Sequence, residues 1–247
     1  MALLSYLKSE LSGLFDLLLP PTCAFCRAEA STLFPAGLCP SCLAQLPPLP
    51  ASRCPRCALP YPTEDGGPHL CEACLRRPPD FSGVVAVGVY QHLLRENIHR
   101  FKYEQGIHLD HPLGTLLAQR LATDAPEFRP ELILPVPLHP RRLRERGYNQ
   151  SLLLARRLGK VLRVPTELRR LRRIRPTPPQ QGLSLADRRR NLRGAFALSG
   201  PLRGEKILLI DDVMTTGATL RECAQVLKSG GAGEILVAVL GRAPRHH

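Results

Sequence analysis

The hydrophobic rhythm of this chain changes twice. Leu3, Leu4, Leu7, Leu11, Leu14, Phe15 and Leu18 recur at helical spacing and stop at Pro20-Pro21, which predicts an amphipathic helix over residues 3–18. Its polar side sets one lysine, Lys8, against Glu10 and Asp16, whereas an interfacial membrane helix usually shows a cationic face. Packing against the neighbouring domain is therefore its expected use. From there to Pro78-Pro79 no period persists, and 13 of the 25 prolines fall within the first 79 residues, the mark of a turn-built region.

Beyond Pro79 apolar runs and helical stripes take turns. Val84 to Tyr90 reads as a strand, His92 to Tyr103 and Leu113 to Ala122 as helices, and Leu132 to Val136 as a buried strand. Gln150 to Leu162 follows as a helix, Ala195 to Leu198 and Ile207 to Ile210 as strands, Thr219 to Lys228 as a helix and Ile235 to Leu240 as a strand. This alternation predicts an α/β fold, a mostly parallel sheet with helices on both faces. The expected organisation is an N-terminal helical segment over 1–20, a cysteine-rich region over 21–78 and the α/β domain over 79–247. At 247 residues with 44% apolar side chains there is material for one sizeable core and a small appendage. No apolar run approaches the ~20 residues of a membrane span. Charges interrupt residues 1–18 and no small-residue cleavage site follows, so a secretory signal is not expected. A cytoplasmic location is.

Eight of the nine cysteines form four C-x2-C pairs: Cys23/Cys26, Cys39/Cys42, Cys54/Cys57 and Cys71/Cys74, separated by 12, 11 and 13 residues. Two residues between cysteines close a knuckle whose thiolates point at one centre, and two knuckles complete a tetrahedral all-sulfur site for Zn²⁺. Disulfides would need an oxidising compartment, and iron–sulfur ligation fits this spacing less well. Two structural zinc sites are expected, either sequential (Cys23, Cys26, Cys39, Cys42; then Cys54, Cys57, Cys71, Cys74) or interleaved, with the sequential order favoured. Four thiolates leave no open coordination position for a substrate. Cys223, alone on a predicted helix, reads as core.

Charge is concentrated rather than spread. Between Arg141 and Arg193 there are 16 Arg and Lys160 against Glu145, Glu167 and Asp187, a local excess of +14 in a chain of net +13. Such clustering points to an anion-binding surface. Within it, residues 175–193 lack apolar periodicity and carry Arg188-Arg189-Arg190, which reads as a mobile basic lid or a solvated loop. His92, Glu96 and His99 share a helical face but read as a solvated polar surface.

The sharpest chemical signal is Ile207-Leu208-Leu209-Ile210-Asp211-Asp212-Val213-Met214-Thr215-Thr216-Gly217-Ala218-Thr219. Four successive aliphatics suit a strand buried on both faces, which delivers the two acids to its carboxyl end, where open α/β sheets bind ligands. Adjacent carboxylates can accept hydrogen bonds from the vicinal hydroxyls of a ribose. The small residues after them let backbone amides wrap a phosphate at a helix N-terminus, with Gly217 permitting close approach. Neither the Gly-x4-Gly-Lys-Ser/Thr phosphate loop nor Gly-x-Gly-x-x-Gly occurs, so a sugar phosphate is the expected ligand class.

Residues 207–219 resemble the phosphoribosyl pyrophosphate (PRPP) signature of type I phosphoribosyltransferases, and the arrangement around them resembles the ComF family of competence-related proteins. Leu134 to Arg142 with Arg146-Gly147-Tyr148-Asn149-Gln150 is similar to a second family signature. Arg175-Pro176-Thr177, Gln180, Leu183, Arg189, Asn191 and Ala195-Phe196 are similar to a third. The cysteine region is similar to the double zinc ribbon of longer members. By resemblance, Asp211 and Asp212 hold the ribose hydroxyls, Val213 and Thr215, Thr216, Gly217, Ala218 and Thr219 line the 5-phosphate site, and Val136, Pro137, Arg141 and Arg142 belong to the pyrophosphate loop. Mg²⁺ is implied between pyrophosphate and ribose oxygens, ligands that hard cations prefer. Lys102 matches a family position without an assigned role.

Phosphoribosyl transfer in such a site would rest on placed charge around an oxocarbenium-like transition state, without a separate general base. Nothing names an acceptor, and no glutaminase domain is present to supply ammonia. The leading expectation is a PRPP-binding, phosphoribosyltransferase-like protein assisting uptake of single-stranded DNA in natural transformation, with DNA-uptake proteins as partners. The alternatives are a non-catalytic zinc-ribbon adaptor gripping nucleic-acid phosphates through the +14 segment and a regulator that binds a nucleotide without turnover.

Overall fold

The structure, a computed structural model, describes residues 20–30, 32–46, 48–61, 67–104, 106–175 and 192–244. The stripe over 3–18 and residues 176–191 of the basic segment lie outside the described residues.

The architecture is built on strands β1 (Gly83–Val89), β2 (Leu132–Pro135), β5 (Ile207–Met214) and β6 (Ile235–Arg242), all parallel and ordered β1-β6-β5-β2. A bridge between Ile133 and Thr166 adds a further parallel rung beside β2. A separate antiparallel pair joins β3 (Leu171–Arg173) to β4 (Phe196–Leu198). Two short helices, α1 (Pro40–Ala44) and α2 (Glu72–Arg76), lie in the cysteine-rich region. They are followed by α3 (His92–Tyr103), α4 (Asp110–Asp124), α5 (Pro140–Arg146), α6 (Gln150–Leu162) and α7 (Ala218–Ser229).

Strand pleating divides the core in two, since successive side chains point to opposite faces. Ile207, Leu209, Val237 and Val239 pack with Leu220, Cys223, Ala224 and Leu227 of α7. Leu208, Ile210, Leu236 and Ala238 pack with Ile98 and Phe101 of α3, Leu113 and Leu117 of α4, and Leu154 and Leu158 of α6. Each face also takes one half of the cysteine region. Cys23, Phe25, Leu38 and Cys42 join the α3/α4/α6 side, while Cys54, Cys57, Leu59, Cys71 and Cys74 join the α7 side. The two knuckle pairs thus brace the sheet from opposite sides. Among the described residues, no helix is long and apolar enough to cross a membrane.

Two departures from the sequence expectation bear on the site. β5 does not end at Ile210 but runs through both acids to Met214, because β6 keeps pairing with it as far as Met214 opposite Arg242. Backbone pairing, not side-chain apolarity, sets its length. Nor does the stretch from Val136 to Arg142 remain a turn throughout. Pro140 opens α5 with its fixed φ, the His139 ring accepts a hydrogen bond from the Arg141 amide at 3.3 Å, and Gly147 ends the helix at φ 81°.

Candidate functional site

The two acids sit in the C-terminal half of β5, flanked by β2 and β6. Both find partners on helices of the α3/α4/α6 side of the sheet, Asp212 in Lys102 of α3 and Asp211 in Ser151 of α6. Asp212 is only 9% exposed, and Lys102 Nζ on α3 reaches its Oδ1 at 3.0 Å. Burial pulls the Lys102 ammonium toward neutrality, but the charge and hydrogen bond of Asp212, with Tyr90 and Asp211, together outweigh it, and the Lys102 pKa is raised. Asp211 Oδ1 accepts the Ser151 hydroxyl at 2.9 Å and the Asp212 amide at 2.9 Å. Desolvation and then the Asp212 carboxylate push Asp211 up to about 7, against these hydrogen bonds and Lys102. Asp211 can therefore carry a proton near neutral pH.

The second signature acts as a clamp on this centre. Tyr148 donates its hydroxyl proton to the Phe101 carbonyl, and Gln150 Nε2 donates to the Lys102 carbonyl at 3.4 Å, so the start of α6 holds the end of α3 that carries Lys102. Asn149 Nδ2 donates to the Val136 carbonyl at 3.1 Å, tying the β2 turn to the same point. Arg146 donates to Gln150 Oε1 at 2.8 Å and lies over the Tyr103 ring.

After β5 the chain turns sharply. Gly217 adopts φ +75°, a conformation that strains any L side chain, so the backbone demands glycine there; a Cβ would also meet Met214 Cε at 2.4 Å, the movable end of a flexible side chain. α7 begins at Ala218. Thr215, Thr216 and Thr219 surround that turn in sequence, and Thr216 Oγ1 accepts the Ala218 amide at 3.4 Å. Opposite, Val136 is buried and donates its amide to the Ile210 carbonyl at 2.8 Å, with Pro137 half-buried beside it. Arg141 points elsewhere: its Nε pairs with Glu145 Oε1 at 3.1 Å, one turn along α5, and it is exposed. Arg142 is half-buried, and after desolvation its charge is the main influence lowering the Arg173 pKa. Arg173 stacks over Phe196, 5.5 Å from the ring centre. Cys223 is wholly buried and its thiol is pushed far up by desolvation, as befits a core residue.

The cysteines gather in sequential order. The sulfurs of Cys23, Cys26, Cys39 and Cys42 lie within 4.8 Å of one another, and so do those of Cys54, Cys57, Cys71 and Cys74. A ZnS₄ tetrahedron with bonds of ~2.3 Å has edges of about 3.8 Å, and the Cys57–Cys71 and Cys26–Cys39 separations of 3.6 and 3.9 Å bracket that value. Both sets fit Zn²⁺. In the second set, the hydrogen bond from Cys74 and, against burial, the Arg242 guanidinium hold Cys57 down at about 4, the thiolate form that a metal needs. His92, Glu96 and His99 form no metal-holding group among the described residues. His99 instead faces Glu104 at 3.5 Å and Tyr103.

Sequence reasoning left Lys102 without a role and passed over Ser151 and Arg242. Lys102 and Ser151 lie 109 and 60 residues before the nearer acid, beyond any local pattern; only the clamp residues between them hinted at a junction. Arg242 looks like one more basic residue near the C-terminus.

The double zinc ribbon domain family model matches residues 14–75 and the phosphoribosyl transferase domain model residues 149–246. Competence protein F of Haemophilus influenzae is 36% identical over 229 residues, covering 90% of this chain and 96% of that protein. DNA utilization protein YhgH of Salmonella typhi is 36% identical over 232 residues, covering 92% and 99%. A solved structure, the purine phosphoribosyltransferase of Pyrococcus horikoshii, aligns over 53% of this chain and 70% of its own at 21% identity, with a TM-score of 0.34. The chain belongs to the family of competence protein F and DNA utilization protein YhgH, and joins a double zinc ribbon to a phosphoribosyl transferase domain.

Proposed function

We propose that this protein binds PRPP, or a closely related ribose phosphate, together with Mg²⁺ at the carboxyl edge of β5, in the service of DNA uptake or utilization. The observation that carries the reading is the acid pair itself: two adjacent carboxylates, one ion-paired to Lys102 and one hydrogen-bonded by Ser151, directly before a glycine turn and the N-terminus of α7. Two desolvated acids are costly unless a ligand uses them.

In this reading Asp211 and Asp212 accept the ribose hydroxyls. The amides and hydroxyls from Thr215 to Thr219 receive the 5-phosphate, where the helix dipole favours negative charge. Val136 and Pro137 shape the pyrophosphate side, with Arg142 as the nearer cation. Arg141 would join only by leaving Glu145, an exposed pair that costs little to break. Mg²⁺, when bound, would offset the negative charge of the pyrophosphate. Lys102 pairs with Asp212, Ser151 orients Asp211, and the Tyr148–Gln150 clamp keeps both partners in place. The zinc ribbons are structural, and the organisation into 1–20, 21–78 and 79–247 belongs to this proposal. The names of the relatives connect the family with competence and DNA utilization, and the +14 segment offers a surface for single-stranded DNA.

Calorimetric titration of the zinc-loaded protein with PRPP, with and without Mg²⁺, tests this. Mg²⁺-dependent binding abolished in Asp211→Asn/Asp212→Asn supports the proposal and justifies a screen of acceptors for pyrophosphate release. Absence of binding by a folded, zinc-replete protein refutes it. DNA affinity that falls steeply with salt and ignores Asp212→Asn would favour the adaptor reading instead.

A further inference from the structure

Arg242, the last residue of β6, is 3% exposed yet carries a full charge into the core. Its guanidinium is spent on two neighbours. Toward the ribbon, Nε donates to the Cys57 carbonyl at 2.8 Å and an Nη lies 3.9 Å from Cys57 Sγ. Toward the turn after β5, the other Nη donates to the carbonyls of Met214 at 3.1 Å, Thr215 at 2.6 Å and Ala243 at 2.6 Å. A planar fork with five donors can serve acceptors on two sides at once, which a lysine ammonium cannot.

These contacts have a directional consequence. Every described peptide bond is trans, and in a trans peptide unit C=O and N–H point opposite ways. Carbonyls of Met214 and Thr215 turned toward Arg242 therefore turn the amides of Thr215 and Thr216 away from it, the orientation an anion at this turn requires. A second arginine makes a parallel link. Arg221, in the first turns of α7, donates to Cys74 Sγ at 3.1 Å and to the Arg77 carbonyl at 2.7 Å. Its amide closes the first turn of α7 on the Gly217 carbonyl at 2.9 Å, as in any helix, but its guanidinium is directed to the ribbon. The first knuckle pair has a different tie: Arg100 of α3 donates to the Phe25 carbonyl at 2.7 Å.

We propose that the second zinc ribbon is a working part of the anion site, with Arg242 as the positioning residue that transmits the order of the Cys54, Cys57, Cys71 and Cys74 cluster to the turn over residues 214–217. Zn²⁺ at that cluster holds Cys57, Cys57 holds Arg242, and Arg242 fixes the peptide planes that face the ligand. The inference rests on the ribose-phosphate reading for the ligand's identity, but the coupling itself does not need it. By linkage, ligand at the turn must in return retain zinc at the second cluster and leave the first untouched.

Full-length protein loaded with zinc provides the test, as wild type, Arg242→Met, Arg242→Lys and Arg221→Met. Hydrogen exchange is followed by mass spectrometry over residues 213–219, zinc release by a chelator dye, and PRPP affinity by calorimetry. With zinc retained, Arg242→Met should speed exchange in the turn by about tenfold and weaken PRPP by a similar factor, leaving exchange over 207–210 unchanged. Arg242→Lys should recover part of both, and Arg221→Met should hasten zinc loss while sparing the turn. If Arg242→Met does not fold, stepwise zinc removal from wild type decides: exchange in the turn must rise as the second cluster empties, a phase identified by alkylation of Cys57 and Cys71. Turn exchange that ignores both Arg242 and this zinc overturns the proposal. Turn exchange that follows them while wild type fails to bind PRPP upholds the coupling and refutes the ligand.

Discussion

The two cysteine clusters share a spacing and differ in surroundings. Cys26 of the first is exposed and Cys39 half-buried, whereas all four cysteines of the second are buried. Each cluster receives a backbone amide at a sulfur, from Cys39 at Cys23 Sγ and from Cys71 at Cys54 Sγ, but the second also has two guanidiniums at its sulfurs, from Arg221 and Arg242. A ZnS₄ centre carries a net charge of about −2, and burying it calls for cations close by. The second ribbon finds them on α7 and β6, the elements flanking the candidate phosphate turn. Its metal site is built into the α/β domain, while the first lies nearer solvent and is tied to α3 through a carbonyl.

Loss of one ligand from each cluster should expose this contrast most strongly. Cys57→Ser leaves buried thiolates and Arg242 without their centre, and is expected to cost at least about 3 kcal/mol and the folded state with it. Cys26→Ser, at an exposed corner, should keep the α/β core and lower only the zinc content; thermal denaturation with metal analysis reads both. On the α3 side, Lys102→Met strands Asp212 beside Asp211 and should destabilise by about 3 kcal/mol at pH 7, with a lower Tm and unchanged zinc content.

The acid pair and the zinc clusters should also respond to pH in opposite senses. Asp211 titrates near 7 in the fold against 3.8 as its ordinary value, so the folded state holds the proton more tightly. Its stabilising contribution is complete below pH 3.8 and is lost as the pH rises toward 7, at a slope of at most about 1.4 kcal/mol per unit. Asp211→Asn should remove that slope from a plot of stability against pH. Zinc thiolates fail in the other direction, as acid protonates the sulfurs. The smallest effect is kinetic: chelator at neutral pH should empty the first cluster about tenfold faster than the second, and equal rates would erase the distinction drawn from burial.

Local pattern went far because both chemistries are written in contiguous residues. The C-x2-C knuckles need only short spacing, and the strand, acid pair, glycine turn and helix follow one another within 207–219. The limits are equally specific. The aliphatic run stops at Ile210, so nothing local announces that β5 continues to Met214; its pairing with β6 does. Arg141 follows the β2 turn in sequence, which suggests a place at the ligand, yet Glu145 four residues on holds it along α5. Lys102 is a lone cation on a helix until the clamp of Tyr148 and Gln150 brings α3 against β5.

By itself the sequence determined the four cysteine knuckles, the α/β alternation and the acid-glycine motif, because knuckle closure, strand burial and positive φ are decided by residues a few positions apart; that the knuckles pair sequentially came from the tertiary structure. Tertiary structure alone decided which cluster meets which face of the sheet, which cation pairs with Asp212, and that Arg242 joins Cys57 to the turn after β5. Those pairings depend on where chain segments 27 to 185 residues apart in sequence come together, and a buried charge takes whichever partner the packed core places within hydrogen-bond reach.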